Sequence, residues 1–293
     1  MKKVSTKEIK ETTDLEKKET PGRLKTTLGD YGDKLPIGIL HDGRLYKDII
    51  LKKWRTKDER ELGKKFPTDA GMAEHVSIVV ANMCSKLGPH DMDSLSDAEK
   101  SVIVSTMYMA DVFYAYTLLR LRTMGKNLRL TITCPTPGCG VEFPYVGNIE
   151  TIEVTYVDDL DDILWTYDLQ EPVEIRKQKV EKFRLAYPKW SVMEQGRGNT
   201  NEAEVKTLTI LGSIVGLNDG QEPVSLTMLE MDEISKIDFE GLVEGINDHF
   251  LGPKMGIEGE CTPEICTKLK RGGHKFIFPI DWRYKNFFAR SSQ

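Results

Sequence analysis

The chain of 293 residues lacks any long apolar run. A membrane-spanning helix needs about 18 or more consecutive apolar residues. The densest apolar segment, residues 111–121, is interrupted by Asp111, Thr117 and Arg120. The lysine-rich N-terminus is not followed by the apolar stretch of a secretory signal. We therefore expect no membrane contact, and synthesis in the cytoplasm.

The sequence also lacks the short motifs of the common enzyme classes. It contains no phosphate-binding G-x-x-x-x-G-K-[ST] loop, no G-x-G-x-x-G turn between a strand and a helix, no H-E-x-x-H and no G-x-S-x-G. The five histidines are scattered along the chain. These absences favour a protein that is not an enzyme and that has no small-molecule substrate.

A large excess of positive charge is missing too. The formal net charge is −5, whereas proteins that bind nucleic acid through bulk electrostatics are strongly basic. Nucleic acid is therefore not an expected partner. The hydrophobic content of 39% is somewhat low and the charged content of 30% somewhat high, which allows a core together with a large solvated or partner-facing surface.

Cysteine is scarce, but four of the five cysteines form two pairs with the same spacing. Cys134 and Cys139 are separated by four residues, and so are Cys261 and Cys266. Paired thiolates at short spacing are the usual ligands of a tetrahedral structural zinc, and four of them leave no open position for catalysis. In a reducing compartment such pairs favour a metal over disulfides. We predict one structural zinc bound by all four cysteines; free thiols and disulfides are the alternatives.

The residues around the pairs suit this prediction. Pro135 fixes the backbone after the first cysteine, and Gly138 and Gly140 allow the positive φ angles that turn backbone N–H groups toward sulfur. His274 follows the second pair and is a candidate substitute ligand, although an imidazole at a turn is the simpler interpretation. The fifth cysteine, Cys84, lies in an apolar helical pattern and is expected to be buried and inert.

Hydrophobic periodicity predicts an α+β protein whose N-terminal half is helical. Residues 1–34 are expected to form a polar arm, either loosely attached or ordered against a neighbouring subunit. Residues 35–126 are expected to be mainly helical. One long helix is predicted over residues 68–87 and a second over residues 96–125.

After this helical region the hydrophobic period changes from that of a helix to that of a strand. Apolar and polar residues alternate up to Cys134, which predicts a strand that leads into the first cysteine pair. We expect residues 127–157 and 255–293 to form one zinc-ribbon-like β module, split by an inserted α+β region at residues 158–254. The geometric consequence is that all four sulfurs lie within one coordination sphere.

The C-terminal segment alternates basic and aromatic residues. Such a pattern can stack nucleic-acid bases, but the rings can equally be buried or anchor a protein partner. The aromatic residues that we select as candidate partner-binding residues are Trp282, Tyr284, Phe287 and Phe288.

The order of these features resembles the baseplate proteins of contractile-tailed bacteriophages, of the baseplate hub and hub-assembly type. The resemblance covers roughly residues 35–290, and the polar arm lies outside it. Both cysteine pairs depart from the compact C-P-x-x-C form. The segments that carry the resemblance are Leu35-Pro36, Gly43-Arg-Leu-Tyr46, Trp54-Arg-Thr-Lys-Asp-Glu59, the two helices, the cysteine pairs, Phe276-Ile-Phe-Pro279 and Phe287-Phe288.

This resemblance implies a structural component of a contractile tail baseplate. Such a protein would be located in the virion and would join neighbouring tail proteins through protein–protein contacts. One alternative is a tail-assembly factor that is absent from the mature particle. Another is a zinc-ribbon protein that binds nucleic acid.

Overall fold

The structure is a computed structural model that describes residues 22–67, 71–196, 202–220, 222–254, 256–262, 274–280 and 287–288. Helices and strands both occur throughout these residues, which confirms the α+β class. None of the helices in these ranges has the length and apolar character needed to cross a membrane.

The helices of the described part of the chain are α1 (Leu28–Tyr31), α2 (Thr56–Lys65), α3 (Met72–Met83), α4 (Asp97–Thr106), α5 (Met109–Met124), α6 (Ser191–Gln195), α7 (Glu202–Ser213), α8 (Met228–Met231) and α9 (Lys236–Asp248). The strands are β1 (Arg23–Thr27), β2 (Lys34–His41), β3 (Arg44–Leu51), β4 (Cys84–Leu87), β5 (His90–Asp91), β6 (Asn127–Thr133), β7 (Glu142–Asn148), β8 (Glu153–Val157), β9 (Leu164–Ile175), β10 (Gln178–Ala186), β11 (Ile214–Leu217), β12 (Gly252–Pro253), β13 (Gly256–Cys261) and β14 (His274–Pro279).

All strand pairs of the described residues are antiparallel. They form a four-stranded sheet, two three-stranded sheets and two hairpins, with the orders β2-β3-β4-β5, β1-β8-β12, β11-β10-β9, β6-β7 and β13-β14. Antiparallel neighbours need only short connections, but β1-β8-β12 joins segments that are far apart in sequence. This sheet therefore ties the two ends of the chain together.

The prediction of a helical N-terminal half is wrong, because strands begin at β1 and a four-stranded sheet occupies much of this region. The first predicted helix ends at Met83, since the next four residues pair with β3. The second is broken at Met107 and Tyr108. There the Trp190 N–H donates to the Met107 carbonyl, and Tyr108 forms a β-bridge with Lys189.

The expected polar arm of residues 1–34 overlaps the folded part of the chain. Residues 22–34 contain β1 and α1, and Leu28 is fully buried in the core. Residues 22–34 are therefore part of the folded region, and residues 1–21 lie outside the described residues.

Helix α5 is buried almost all round. Every residue from Ala110 to Arg120 is buried, and the helix packs against α3, β2 and β12. Two of these residues are charged, and a buried charge is costly unless polar groups compensate it. The partners of the two charges therefore connect α5 to the rest of the fold.

Asp111, in the first turn of α5, is fully buried. Its carboxylate accepts hydrogen bonds from the backbone N–H groups of Ile37 (2.8 Å) and Gly38 (3.0 Å) in β2. The helix N-terminus also favours an anion at this position. Burial nevertheless raises the pKa of Asp111 to about 6, against the opposing effect of the two N–H groups.

Arg120, near the other end of α5, donates to three backbone carbonyls. Nε bonds to Phe287 (2.7 Å), while the terminal nitrogens bond to Gly125 (2.7 Å) and Asn127 (2.9 Å). These carbonyls belong to the C-terminal segment, the end of the helix and the first residue of β6. One side chain thus holds three parts of the chain at one point.

The region from β9 to α9 has a second hydrophobic core, built from residues between 169 and 242. At the start of α9, the carboxylate of Asp238 accepts from the backbone N–H groups of Gln170 (2.8 Å) and Glu171 (3.1 Å). Ser235 caps the same helix through its side chain. This capped helix is thereby fixed on β9.

We expect Arg120→Met to lower the free energy of unfolding by about 2–4 kcal/mol, because the buried carbonyl of Phe287 and two partly buried carbonyls lose their donor. Arg122→Met on the same helix is the matched control. Arg122 is 47% exposed and pairs with an exposed Asp33, so its loss should cost less than about 1 kcal/mol. Urea unfolding followed by circular dichroism measures both changes; equal losses would contradict the role given to Arg120.

The raised pKa of Asp111 predicts a pH dependence. Its ordinary pKa is 3.8 and its folded pKa is about 6, so its contribution to stability is present below pH 3.8 and is lost as pH rises through about 6. The stability of the wild type relative to Asp111→Asn should therefore fall by about 2–3 kcal/mol between pH 4 and pH 7. Asp42→Asn, at an exposed turn, serves as control. Parallel pH profiles for wild type and Asp111→Asn would contradict the prediction.

Candidate metal centre

Two β-hairpins supply the groups of the candidate metal centre. Cys134 and Cys139 lie in the connection between β6 and β7. Cys261 is the last residue of β13 and His274 the first of β14, and the two are directly opposite each other in the strand pair. Residues opposite each other in an antiparallel pair have side chains on the same face. Both hairpins therefore present two candidate ligands at one end.

The first turn is shaped by backbone hydrogen bonds. The N–H of Cys134 donates to Val141 (2.9 Å), and that of Cys139 donates to Thr136 (3.0 Å). Gly138 and Gly140 have φ angles of 81° and 56°, which glycine adopts without strain. The turn thus directs both thiols to the same side.

The four ligand atoms lie close enough to share one ion. Sγ of Cys134, Sγ of Cys139, Sγ of Cys261 and a ring nitrogen of His274 are all within 4.8 Å of one another. The sulfurs of Cys139 and Cys261 are 3.9 Å apart, and Sγ of Cys134 is 3.8 Å from Nδ1 of His274. Tetrahedral bonds of about 2.3 Å to sulfur place two sulfurs about 3.8 Å apart. The spacing fits a single tetrahedral ion.

The centre is enclosed by apolar groups. The three cysteines are buried and cluster with Ile132 and Phe143. The ring of Phe143 meets that of Phe276 edge to face. An apolar shell limits the access of water and therefore strengthens the interaction of thiolates with a cation.

Contacts between the hairpins hold the four ligands in place. The hydroxyl of Tyr145 in β7 donates to the carbonyl of Glu258 in β13 (2.7 Å). Gly147 faces Ile257 so closely that a Cβ at this position would lie 2.8 Å from the isoleucine side chain. The centre is therefore assembled by packing as well as by its ligands.

Three of the four predicted zinc ligands, Cys134, Cys139 and Cys261, come together as expected. Cys266 lies outside the described residues, and His274 supplies the fourth group of the cluster. The simpler interpretation of His274, as an imidazole at a turn, does not describe its position. His274 could have been recognised as a candidate ligand by pairing the strand at residues 256–261 with the strand at residues 274–279. This pairing places His274 directly opposite Cys261.

The structure describes two of the four aromatic residues that were selected as candidate partner-binding residues. Trp282 and Tyr284 lie outside the described residues. Phe287 is fully buried and stacks on Tyr116 with a centroid distance of 5.2 Å, while Phe288 packs against Trp54. Phe287 therefore belongs to the core of this chain and has no surface to offer to a partner.

Cys84 is fully buried, as expected, and burial raises the pKa of its thiol to about 12. A thiol with such a pKa is a poor nucleophile, since the thiolate is the reactive form. It takes no part in the candidate centre.

No family model, no curated protein and no solved structure matches the chain. The metal centre therefore rests on its own geometry, and the resemblance to baseplate proteins stays a prediction.

The geometry predicts a Cys3His centre, which Co²⁺ binding can test. His274→Ala should weaken Co²⁺ binding more than about tenfold and change the visible d–d spectrum, because a ligand is lost. Cys266→Ser is the matched control and should leave both affinity and spectrum unchanged. The opposite result, in which only Cys266→Ser weakens binding, would indicate a four-cysteine centre.

Proposed function

We propose that the chain is a structural component of a contractile bacteriophage tail baseplate, held together by a structural zinc and joined to neighbouring tail proteins. The observation that carries the structural part is the buried cluster of three thiols and one imidazole. It connects Cys139 to Cys261, which are 122 residues apart. The baseplate part is supported by the order of sequence motifs from Leu35-Pro36 onward.

Zinc is the metal that this ligand set fits best. Thiolate and imidazole ligands suit zinc, whereas calcium and magnesium prefer oxygen ligands. Four protein ligands fill a tetrahedral shell and leave no position for a substrate or a reactive water. The centre therefore supports a structural role rather than a catalytic one.

A metal at this position would cross-link the two hairpins. Each of the two hairpins has only two strands, and an isolated two-stranded hairpin is marginally stable in water. A structural zinc contributes about 10–16 kcal/mol of apparent binding free energy in zinc-finger peptides, and this energy stabilises the folded state. The metal would thus hold the two hairpins against each other.

Contacts with other tail proteins need apolar surface. Helices α8 and α9 carry Met228, Leu229 and Ile237, which are 39%, 78% and 53% exposed. Exposed apolar side chains are candidate contacts for a protein partner. These three residues are therefore the candidate contacts with other tail proteins in the region between the two hairpins.

The zinc can be tested on native protein. We expect about one equivalent of zinc, with loss of the metal on chelation lowering the melting temperature, because metal binding is coupled to folding. Cys139→Ser should show the same loss, and Cys84→Ser should keep the zinc. Less than about half an equivalent in freshly purified protein would contradict the proposal.

The location can be tested independently by mass spectrometry of purified phage particles. A baseplate component should be present in intact tails at a fixed ratio to the other baseplate proteins. Presence in infected cells but absence from the particles would favour the assembly factor. Absence from both would contradict a role in the tail.

A further inference from the structure

Two histidines that are far apart in sequence meet at the four-stranded sheet. His41 is the last residue of β2 and His90 the first of β5. The turn before β5 folds over the β2-β3 hairpin, since the N–H of Gly88 donates to the Asp48 carbonyl (2.8 Å). A Cβ at Gly88 would lie 3.2 Å from the Cβ of Tyr46. This close packing of the backbone brings His90 beside His41.

The spacing of the two imidazole rings suits a shared metal ion. Their centroids are 5.3 Å apart and their planes are inclined by 75°. Zinc binds an imidazole nitrogen at about 2.0–2.1 Å, which places the ion about 3.2 Å from the ring centroid. Two rings on one ion at the tetrahedral angle therefore have centroids about 5.2 Å apart. The rings of His41 and His90 match this distance closely.

The ring nitrogens of this pair are available to a ligand. Within the described part of the chain, neither His41 nor His90 has a hydrogen bond from its ring. His75 and His249, in contrast, each use Nδ1 on a backbone carbonyl. Neutral imidazole is the commonest metal ligand in proteins. The fold therefore places two uncommitted metal-binding groups next to each other.

The surroundings of the pair favour a cation. The side chain of His41 is 46% exposed, so an ion can reach it from solvent, and a carboxylate oxygen of Asp42 lies 3.5 Å from its Nε2. A carboxylate beside an imidazole raises the basicity of the ring as a metal ligand. His90 is partly buried, so its ring has less freedom to move away from His41. One ring is thus open to solvent while the other is held by packing.

We propose that His41 and His90 form a second metal site, which binds a divalent transition metal such as Ni²⁺, Cu²⁺ or Zn²⁺. Imidazole nitrogen suits these ions, whereas calcium and magnesium prefer oxygen ligands. Two protein ligands leave the remaining coordination positions to water, so this site is open where the cysteine centre is closed. A bound ion would cross-link the β2-β3 hairpin to β5. The site does not depend on the proposed structural zinc.

Nickel binding tests the site on the untagged full chain, with the cysteine centre first loaded with zinc. Isothermal titration calorimetry should find about one equivalent of Ni²⁺. His41→Ala and His90→Ala should each weaken binding by about tenfold or more, because the two imidazoles act as one chelate. His75→Ala, which removes an imidazole from α3, is the matched control and should leave the affinity unchanged. Absence of nickel binding to the wild type, or unchanged affinity in His41→Ala or His90→Ala, would overturn the proposal.

Two further measurements do not depend on how the variants fold. High-spin Ni²⁺ is paramagnetic and should broaden the ring-proton NMR signals of His41 and His90 in the wild type before those of His75 and His249. Equal broadening of all four rings would show non-specific binding and contradict the site. The zinc content is measured after the titration. Zinc released in proportion to the nickel bound would place the nickel at the cysteines, which overturns the second site but not the structural zinc.

Discussion

The burial of one charged group toward each end of helix α5 is the constraint on which much of the fold depends. Asp111 lies at the helix N-terminus and Arg120 near the C-terminus, so both charges have the sign that the helix dipole favours. The dipole alone does not replace the lost hydration of a buried ion. Backbone groups of β2 must therefore meet Asp111, and carbonyls of Phe287 and Asn127 must meet Arg120.

The contacts of Arg120 also position the candidate metal centre. Asn127 is the first residue of β6, and this strand ends at Thr133, directly before the first ligand. The hydrogen bond from Arg120 to the Asn127 carbonyl therefore fixes the start of β6 and, with it, the position of Cys134 at the end of this strand. The contact of Tyr145 with the Glu258 carbonyl then places β13, whose end carries the next ligand. The candidate ligands converge because packing contacts lead from the core to the cysteine cluster.

Local sequence signals predicted the features that depend on local chemistry. The thiol spacing in Cys134 and Cys139 predicted a metal turn, and the alternation before it predicted β6. Features set by distant partners were missed. Residues 84–87 continue an apolar helical pattern but pair with β3, and the break at Met107 is imposed by Trp190. The sequence offered His274 only as a substitute ligand, because His274 reaches the cluster through the pairing of two strands.

The main core extends into the two hairpins, because Leu128 of β6 and Ile257 of β13 belong to the same apolar cluster as α5. The apolar cluster around the cysteines is small by comparison. Because a two-stranded hairpin is marginally stable by itself, the ends that carry the cysteines gain from a further interaction that offsets the entropy of ordering them. Metal binding can supply it. Loss of the metal should therefore loosen the hairpins first, and Arg120, which holds both β6 and Phe287, is the point at which that loosening would reach the core.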